Sequence, residues 1–548
     1  MTQESPFSPA NAPGSGGFLT DAVNSHVPPA IDRAKPFLVW GLFLLIACVA
    51  FSLRMYKIDA EAAWLDEIVS VKHLDEPTLL GYLKAERADD PPMTPLYFSV
   101  QYGWAALFGS DVTTVRYLSV AFAMLTLAGL FAVAKRLYGS YAALIAAFFF
   151  AMAPMHLRYG QEIRMYGLAW LLAVLSIYTL ILAIQTPCKR WWILHFATNC
   201  ALVWTHLFTV FLLPAEGLVV LYVFRGNLKK VYLWYGVNLA LVLPLLAWVI
   251  AMDHERLGQF SDWLSGATPF TVGMMAEYFS GGAYFVRHGA VSEFVSGLRS
   301  WQANDLIRFQ LIAVIFLSIV TVFRQRLPSG KMPLSPAASY LIVVLWAFLP
   351  PILLALRSIW RPSLWSRYVG YSALPLYIML GAALAAVPRP KLRTAFTSVA
   401  VLWLLMQTYV DVQSRPYRID WETTTTRMQR QNPDIPIFTN NELSKTALDF
   451  YLEEPHPPII VCNELDDMQE ALTDNNSAFF PCWVIIDPTF NYYADPFHTW
   501  LGTSNVAFNV RRLQVHPAPL FVYEIESQGS NVRAPYDGPK PSAPAMKE

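Results

Sequence analysis

Apolar residues run in long, nearly unbroken stretches from about residue 37 to residue 411, divided by short polar links, many of them basic. Stretches of this length match the roughly twenty residues a helix needs to cross a bilayer core of about 30 Å. The first, Phe37 to Tyr56, follows Arg33 and Lys35. Further basic clusters follow alternate stretches: Lys135-Arg136, Lys189-Arg190, Arg225 with Lys229-Lys230, Arg324 and Arg326, and Arg389 with Lys391 and Arg393. Positively charged links stay on the cytoplasmic side. The pattern therefore predicts about eleven spans, near 37–56, 116–134, 141–157, 167–185, 191–206, 207–224, 231–250, 305–323, 338–356, 368–387 and 394–411, with the N-terminus inside and the C-terminus outside. The apolar segment Pro95–Phe108 is short and contains Gln101; read as a span it would invert every later link, so it is predicted to lie along the interface.

This threading places four links outside: 57–115, 158–166, 251–304 and 357–367. Residues 1–36 are rich in Pro, Ser, Ala and Gly and show no hydrophobic period, which predicts a disordered cytoplasmic tail. The first apolar stretch is full length and follows that tail, the pattern of a signal anchor and not of a cleaved peptide. After residue 411 the pattern changes. Pro436–Thr439, Ile459–Val461 and Cys482–Ile486 read as short buried strands, while Leu443–Leu452 and Leu465–Leu472 carry helical spacing. The expected fold is mainly α: a polytopic transmembrane bundle over 37–411, a small α/β soluble domain over 412–526, and a disordered tail over 527–548. No internal repeat is present.

Composition agrees with this reading. Of 548 residues 55% are hydrophobic and only 15% charged, and the mean hydropathy is +0.36. A formal net charge of +0 gives no sign of a nucleic-acid partner. The five cysteines lack metal-ligand spacing; Cys462 and Cys482 suit either a disulfide outside the cytoplasm or two separate thiols.

Candidate chemistry gathers in the outer links. Asp66 and Glu67 lie about ten residues beyond the first span, flanked by Trp64-Leu65 and Ile68-Val69. Adjacent acids at a helix entrance are commonly just solvated, but here the apolar neighbours predict an interfacial helix, where desolvation makes a carboxylate a better base. Arg158-Tyr159-Gly160-Gln161-Glu162-Ile163-Arg164-Met165-Tyr166 packs ionisable groups between two spans. In a helix Arg158, Glu162 and Tyr166 would share one side, as a loop-closing salt bridge or as a site. Asp89 and Asp90 precede a rigid Pro91-Pro92 corner, with Tyr97 beyond it, so the acids serve a helix cap or a substrate. Arg357, Arg361 and Arg367, interleaved with Trp360 and Trp365, have the composition of interfacial anchors, yet guanidinium also suits an anionic lipid phosphate. His206 has the position of a buried core histidine. There is no phosphate-binding glycine loop, dinucleotide pattern or Gly-x-Ser-x-Gly.

In order along the chain, Trp64-Leu65-Asp66-Glu67, Pro91-Pro92 with Pro95-Leu96-Tyr97, Arg116-Tyr117-Leu118-Ser119, Gln161 to Tyr166, Thr205-His206, Ser366-Arg367-Tyr368 with Pro375, and Tyr417 to Trp421 resemble the bacterial membrane glycosyltransferases of the GT-C superfamily. Within it they are similar to the branch of protein O-mannosyltransferases and lipid A aminoarabinose transferases. The resemblance covers about residues 38–425. It implies inverting transfer of a sugar from a polyprenyl-phosphate donor to an acceptor hydroxyl on protein, lipid or glycan, at the periplasmic face of the inner membrane. By the same resemblance Asp66 is the catalytic base with Glu67 beside it, and Glu162 is the second acid. The resemblance makes Arg164 and Arg367 polar partners of the donor; the position and chemistry of Arg158, Tyr166 and Arg361 add them as donor-phosphate candidates, and those of Asp89, Asp90, Tyr97 and His206 as substrate-binding candidates. Some relatives carry a lysine or histidine just before the Pro-Pro corner, where this chain has Asp89-Asp90. A divalent cation between carboxylates and phosphate is compatible with the chain without being demanded by it. A phosphate leaving group is already a stable anion, so one base suffices where a glycosidase needs two carboxyls. The alternative is a flippase for lipid-linked sugars, which would need ionisable groups at mid-membrane depth; Glu216 is the chief one.

Overall fold

The computed structural model describes residues 29–186, 188–251, 334–360, 363, 366–413, 420–452, 455–473, 480–487, 494–503, 508–513 and 520–527. Residues 1–28 of the expected N-terminal tail, residues 528–548 of the C-terminal one, the link 251–304 beyond residue 251, the span 305–323, the cluster Arg324–Arg326 and Arg361 with Trp365 lie outside the described residues, whereas Ala30–Arg33, expected within the disordered tail, form a short 3-10 helix. The first half runs α1 (Pro36–Met55), α2 (Leu65–Val71), α3 (Leu79–Asp89), α4 (Pro95–Phe108), α5 (Val112–Met152), α6 (Pro154–Tyr159), α7 (Tyr166–Gln185) and α8 (Lys189–Val203). It continues with α9 (Leu212–Phe224), α10 (Leu228–Ile250), α11 (Pro336–Arg357), α12 (Ala373–Ala385) and α13 (Pro390–Gln413). Among the described residues, 8 helical segments are long and apolar enough to cross a membrane.

The 41 residues of α5 would extend for about 60 Å as one rod, twice a bilayer core. Gly139, at φ 89°, folds them instead into two legs. Phe131 lies 4.4 Å from Phe43 near the start of α1, and Asp32 accepts the Tyr141 amide at 2.9 Å. Arg54 at the far end of α1 donates to the carbonyls of Phe150 and Ala151, each at 3.2 Å. The chain thus travels down α1's length and returns, and α5 supplies both expected spans 116–134 and 141–157. Span 191–206 corresponds to α8, whose 15 residues fall short of a full crossing. Pro95–Phe108 forms a separate helix with the expected bounds.

Beyond the bundle come α14 (Trp421–Gln431), β1 (Ile437–Thr439), α15 (Glu442–Tyr451), β2 (Ile459–Val461), α16 (Leu465–Thr473), β3 (Cys482–Ile486), α17 (Ala494–Thr503), β4 (Phe508–Leu513) and β5 (Phe521–Ser527). They build one five-stranded sheet in the order β2-β1-β3-β5-β4. The first three strands are parallel, joined by helical crossovers, and β5 and β4 close the edge antiparallel. Cys462 and Cys482 are both buried and are not joined in a disulfide.

The short helix α2 belongs to both halves. Its Val71 lies in the core of the membrane bundle. Ile68 and the preceding Ala63 lie in a core shared with Trp421, Ile437, Leu448 and Trp483 of the sheet region. The Tyr451 hydroxyl accepts the Ala63 amide at 2.6 Å and donates to the Ala63 carbonyl at 3.3 Å.

Candidate active site

Successive residues on a helix point about 100° apart, so Asp66 and Glu67 at the start of α2 diverge. Glu67 turns inward and is fully buried. Arg116 grips it with both arms, Nε to Oε1 at 3.0 Å and Nη2 to Oε2 at 2.7 Å, and the Ile163 amide donates to Oε1 at 3.1 Å. The same guanidinium donates to the carbonyls of Ile58 and Glu61 at 2.7 and 2.8 Å. This buried bidentate pair fastens the link before α2, the start of α5 and the loop after α6 to one another.

Asp66 turns the other way. Arg367 Nη1 donates to Asp66 Oδ2 at 2.8 Å, with the side chains 7% and 19% exposed, so the pair is largely withdrawn from water. The Arg367 guanidinium sits among the rings of Trp64, Tyr166 and Tyr368, 5.6 to 5.7 Å from their centroids. His206 extends this aromatic wall, 5.8 Å from Tyr166, 5.3 Å from Tyr368 and 5.7 Å from Phe208. Arg357 lies over Phe208 at 5.4 Å and donates to the Ser363 hydroxyl.

The second link contributes Arg164. Its Nη2 donates to Asp90 Oδ2 at 2.8 Å, and its Nη1 to Ser70 Oγ at 3.1 Å and to the Asp66 carbonyl at 3.4 Å. Burial alone would weaken its hold on the proton, but Asp90 and then Asp66 keep it firmly charged. Glu162 is buried, and its carbonyl accepts from Ser119 Oγ at 2.6 Å. Asp66 and Arg164, from two separate links, therefore meet at one end of the bundle, and Glu162 lies two residues before Arg164 in the same link.

Four sequence expectations change here. Residues 158–166 are not a continuous helix, because α6 ends at Tyr159 and residues 160–165 turn. A Cβ at Gly160 would lie 2.6 Å from the His156 carbonyl and 3.0 Å from Arg54 Nε, so only glycine admits this approach. Arg158, Glu162 and Tyr166 consequently share no helical face, and Arg158 instead lies 5.9 Å from the Tyr159 ring. Second, Asp89 and Asp90 part company: Asp89 is bound by Lys72 and His73, each at 2.6 Å. Burial would raise its proton affinity, but hydrogen bonds from Lys72 and His73 prevail and hold the carboxyl below its ordinary range. Third, Tyr97 is wholly buried in this structure. Fourth, Glu216 is closed within a cluster and lines no path. It accepts from Ser176 Oγ at 2.5 Å and Asn199 Nδ2 at 2.9 Å, while Trp234 donates to the neighbouring His195 at 2.9 Å.

Among the described residues no three His, Cys, Asp or Glu side chains gather as a metal site. Asp66, Glu67 and Asp90 each already hold a guanidinium, so the acids as arranged do not fit a resident cation. Arg116, Ser70 and Glu86 were not singled out as site residues from the sequence. The available signal was a charge four residues into an apolar helix for Arg116, and for Glu86 an acid four residues before Asp90.

Residues 89–250 match the family model described as dolichyl-phosphate-mannose-protein mannosyltransferase. That stretch contains Asp90, Glu162, Arg164 and His206. Among curated proteins none matches the chain significantly. Among solved structures, the oligosaccharyltransferase of Archaeoglobus fulgidus in complex with Zn and sulfate is similar, with TM-score 0.50, 12% identity, and coverage of 88% of this chain and 73% of that one. ArnT from Cupriavidus metallidurans, solved with undecaprenyl phosphate, gives TM-score 0.48 and 15% identity over 88% of this chain and 98% of its own. At such identities the likeness is one of fold. The resemblance to the GT-C superfamily read from the sequence is borne out by the family match and the helical architecture.

Proposed function

We propose that this GT-C-type membrane protein, with a mannosyltransferase-family domain over residues 89–250, transfers a sugar from a polyprenyl-phosphate donor to an acceptor hydroxyl. The observation that carries the reading is the meeting of Asp66 with guanidiniums from two other links at one end of the bundle, its carboxylate with Arg367 and its backbone carbonyl with Arg164. The described ends that carry Arg136 and Gln185, paired with one another, and Asp32 with Tyr141 gather at the opposite end. Basic residues concentrate there, which supports a cytoplasmic assignment for that end and a periplasmic one for the Asp66 end.

In this reading one oxygen of Asp66 is held by Arg367 while Oδ1 accepts the proton of the acceptor hydroxyl. The acceptor oxygen forms a bond to the anomeric carbon as the bond from that carbon to the phosphate oxygen breaks. The electron pair leaves with the phosphate, and attack from the opposite face inverts the centre. Arg367 and Arg164 stabilise the charge on the departing phosphate, as preformed cations do best in a site shielded from water. Glu67 works at one remove, holding α2 through Arg116. The family description supports the donor class; the identity of sugar and acceptor is open to protein, lipid or glycan. The test is donor turnover by purified full-length protein in lipid nanodiscs, using polyprenyl-phosphate hexoses and pentoses and measuring release of polyprenyl phosphate. Turnover by the wild type, lost in Asp66→Asn, supports the reading. Equal turnover by both refutes the role of Asp66, and movement of intact donor across the bilayer without cleavage favours the flippase.

A further inference from the structure

Behind Asp66, where α3 packs on α4, lies a layer of polar side chains withdrawn from water. Tyr82, Glu86 and Asp90 follow at four-residue spacing along α3 and its end, and Thr94, Tyr97 and Gln101 line one side of α4. Part of the layer is satisfied: the Tyr82 hydroxyl and Gln101 Nε2 both donate to the Ser70 carbonyl, at 3.2 and 2.7 Å. Among the described residues the Thr94 and Tyr97 hydroxyls and Gln101 Oε1 have no hydrogen-bond partner, and the one carboxyl among the layer's unpartnered groups is Glu86. It is fully buried, and neither carboxylate oxygen has a hydrogen-bond partner.

A buried carboxylate without partners is among the least favourable arrangements a fold can hold, whereas its protonated form carries no charge to desolvate. The charged groups that face it are Asp90 and Asp89 at the end of its own helix, Arg164 from the second link and Lys72 from the end of α2. Both cations are already committed, Lys72 to Asp89 at 2.6 Å and Arg164 to Asp90 at 2.8 Å. We infer that Glu86 is a positioning residue that stays protonated, leaving Asp90 as the carboxylate bonded to Arg164 and so keeping that guanidinium aimed at Ser70 and the Asp66 backbone. Burial first, and the Asp90 charge second, push the Glu86 carboxyl up to about 9, against the opposing pull of Arg164. Loss of the proton would set a second carboxylate beside Asp90, repelling it and competing for the same guanidinium. The inference rests on the transferase reading only where activity is the readout.

The experiment compares full-length wild type with Glu86→Gln, a neutral isostere, in nanodiscs. The ordinary value for this carboxyl is 4.5 and the folded value about 9. The folded state therefore holds its proton longer than the unfolded state does, and the stability this gives is complete below the first value and lost by the second. The melting temperature of wild type should fall behind that of Glu86→Gln progressively across this interval and keep a constant gap above it. Infrared spectroscopy at neutral pH should show a protonated-carboxyl stretch in wild type that the variant lacks. Donor turnover by wild type should drop about tenfold per pH unit above that limit, and the variant should lack this alkaline limb. Parallel melting profiles with no carboxyl stretch overturn the inference, as does an alkaline limb that both proteins share. If melting and infrared behave as expected while wild type turns over no donor at any pH, the transferase reading falls and a protonated Glu86 stands.

Discussion

Two neighbouring carboxylates acquire opposite tasks because one step along a helix rotates a side chain by about 100°. Asp66 faces Arg367 at the rim of the site, and Glu67 enters a buried pair with Arg116. Asp66→Asn should lower turnover by about 10²- to 10⁴-fold, the usual share of a general base, while the protein still folds and melts in a cooperative transition. Arg116→Ala should do the reverse first: it strands a buried carboxylate and costs about 3–5 kcal/mol, read as a loss of thermal stability. In the sequence Trp64 and Ile68 predict an interfacial helix, and Arg164 and Glu162 share a link. The sequence did not separate the two acids. Their partners lie 49 and 301 positions away, and no local pattern encodes a pairing over such distances. Tyr97 is likewise an aromatic candidate in sequence, and its complete burial follows from packing that no local pattern encodes.

A helix of seven residues such as α2 has too few internal hydrogen bonds to persist alone, so its neighbours must hold it. Ile68 does so from the sheet side, fully buried beside Trp421 and Leu448. Ile68→Ala should destabilise by about 2–5 kcal/mol, and turnover should fall with the folded fraction; an unchanged melting temperature would refute the packing argument. At Gly139 the left-handed backbone makes the reversal within α5, and Gly139→Val should lower stability by about 1–3 kcal/mol, measured by thermal unfolding. Elements were legible wherever one pattern ruled them. The apolar runs marked the spans, and Ile437–Thr439, Ile459–Val461 and Cys482–Ile486 emerged as strands. Strands Phe508–Leu513 and Phe521–Ser527 did not, because Arg511, Arg512 and Glu524 interrupt their apolar character and become intelligible only as cross-strand neighbours.

At the scale of the whole molecule, the bundle and the sheet region share a core through Ala63 and Ile68. A chain ending at residue 413 would expose both residues and release Tyr451 from Ala63. Such a truncation should lose turnover even though every proposed donor contact is retained, and proteolysis should cut first within residues 57–71. Unimpaired turnover by the truncated chain would contradict this. The seam also limits how such a protein can diversify. A graft that replaced residues 420–527 with the equivalent portion of another transferase would inherit a mismatched socket for Ile68, and the helix bearing Asp66 would be the first part to slip. Drift in the sheet region is therefore tied, through one isoleucine, to the helix that bears Asp66.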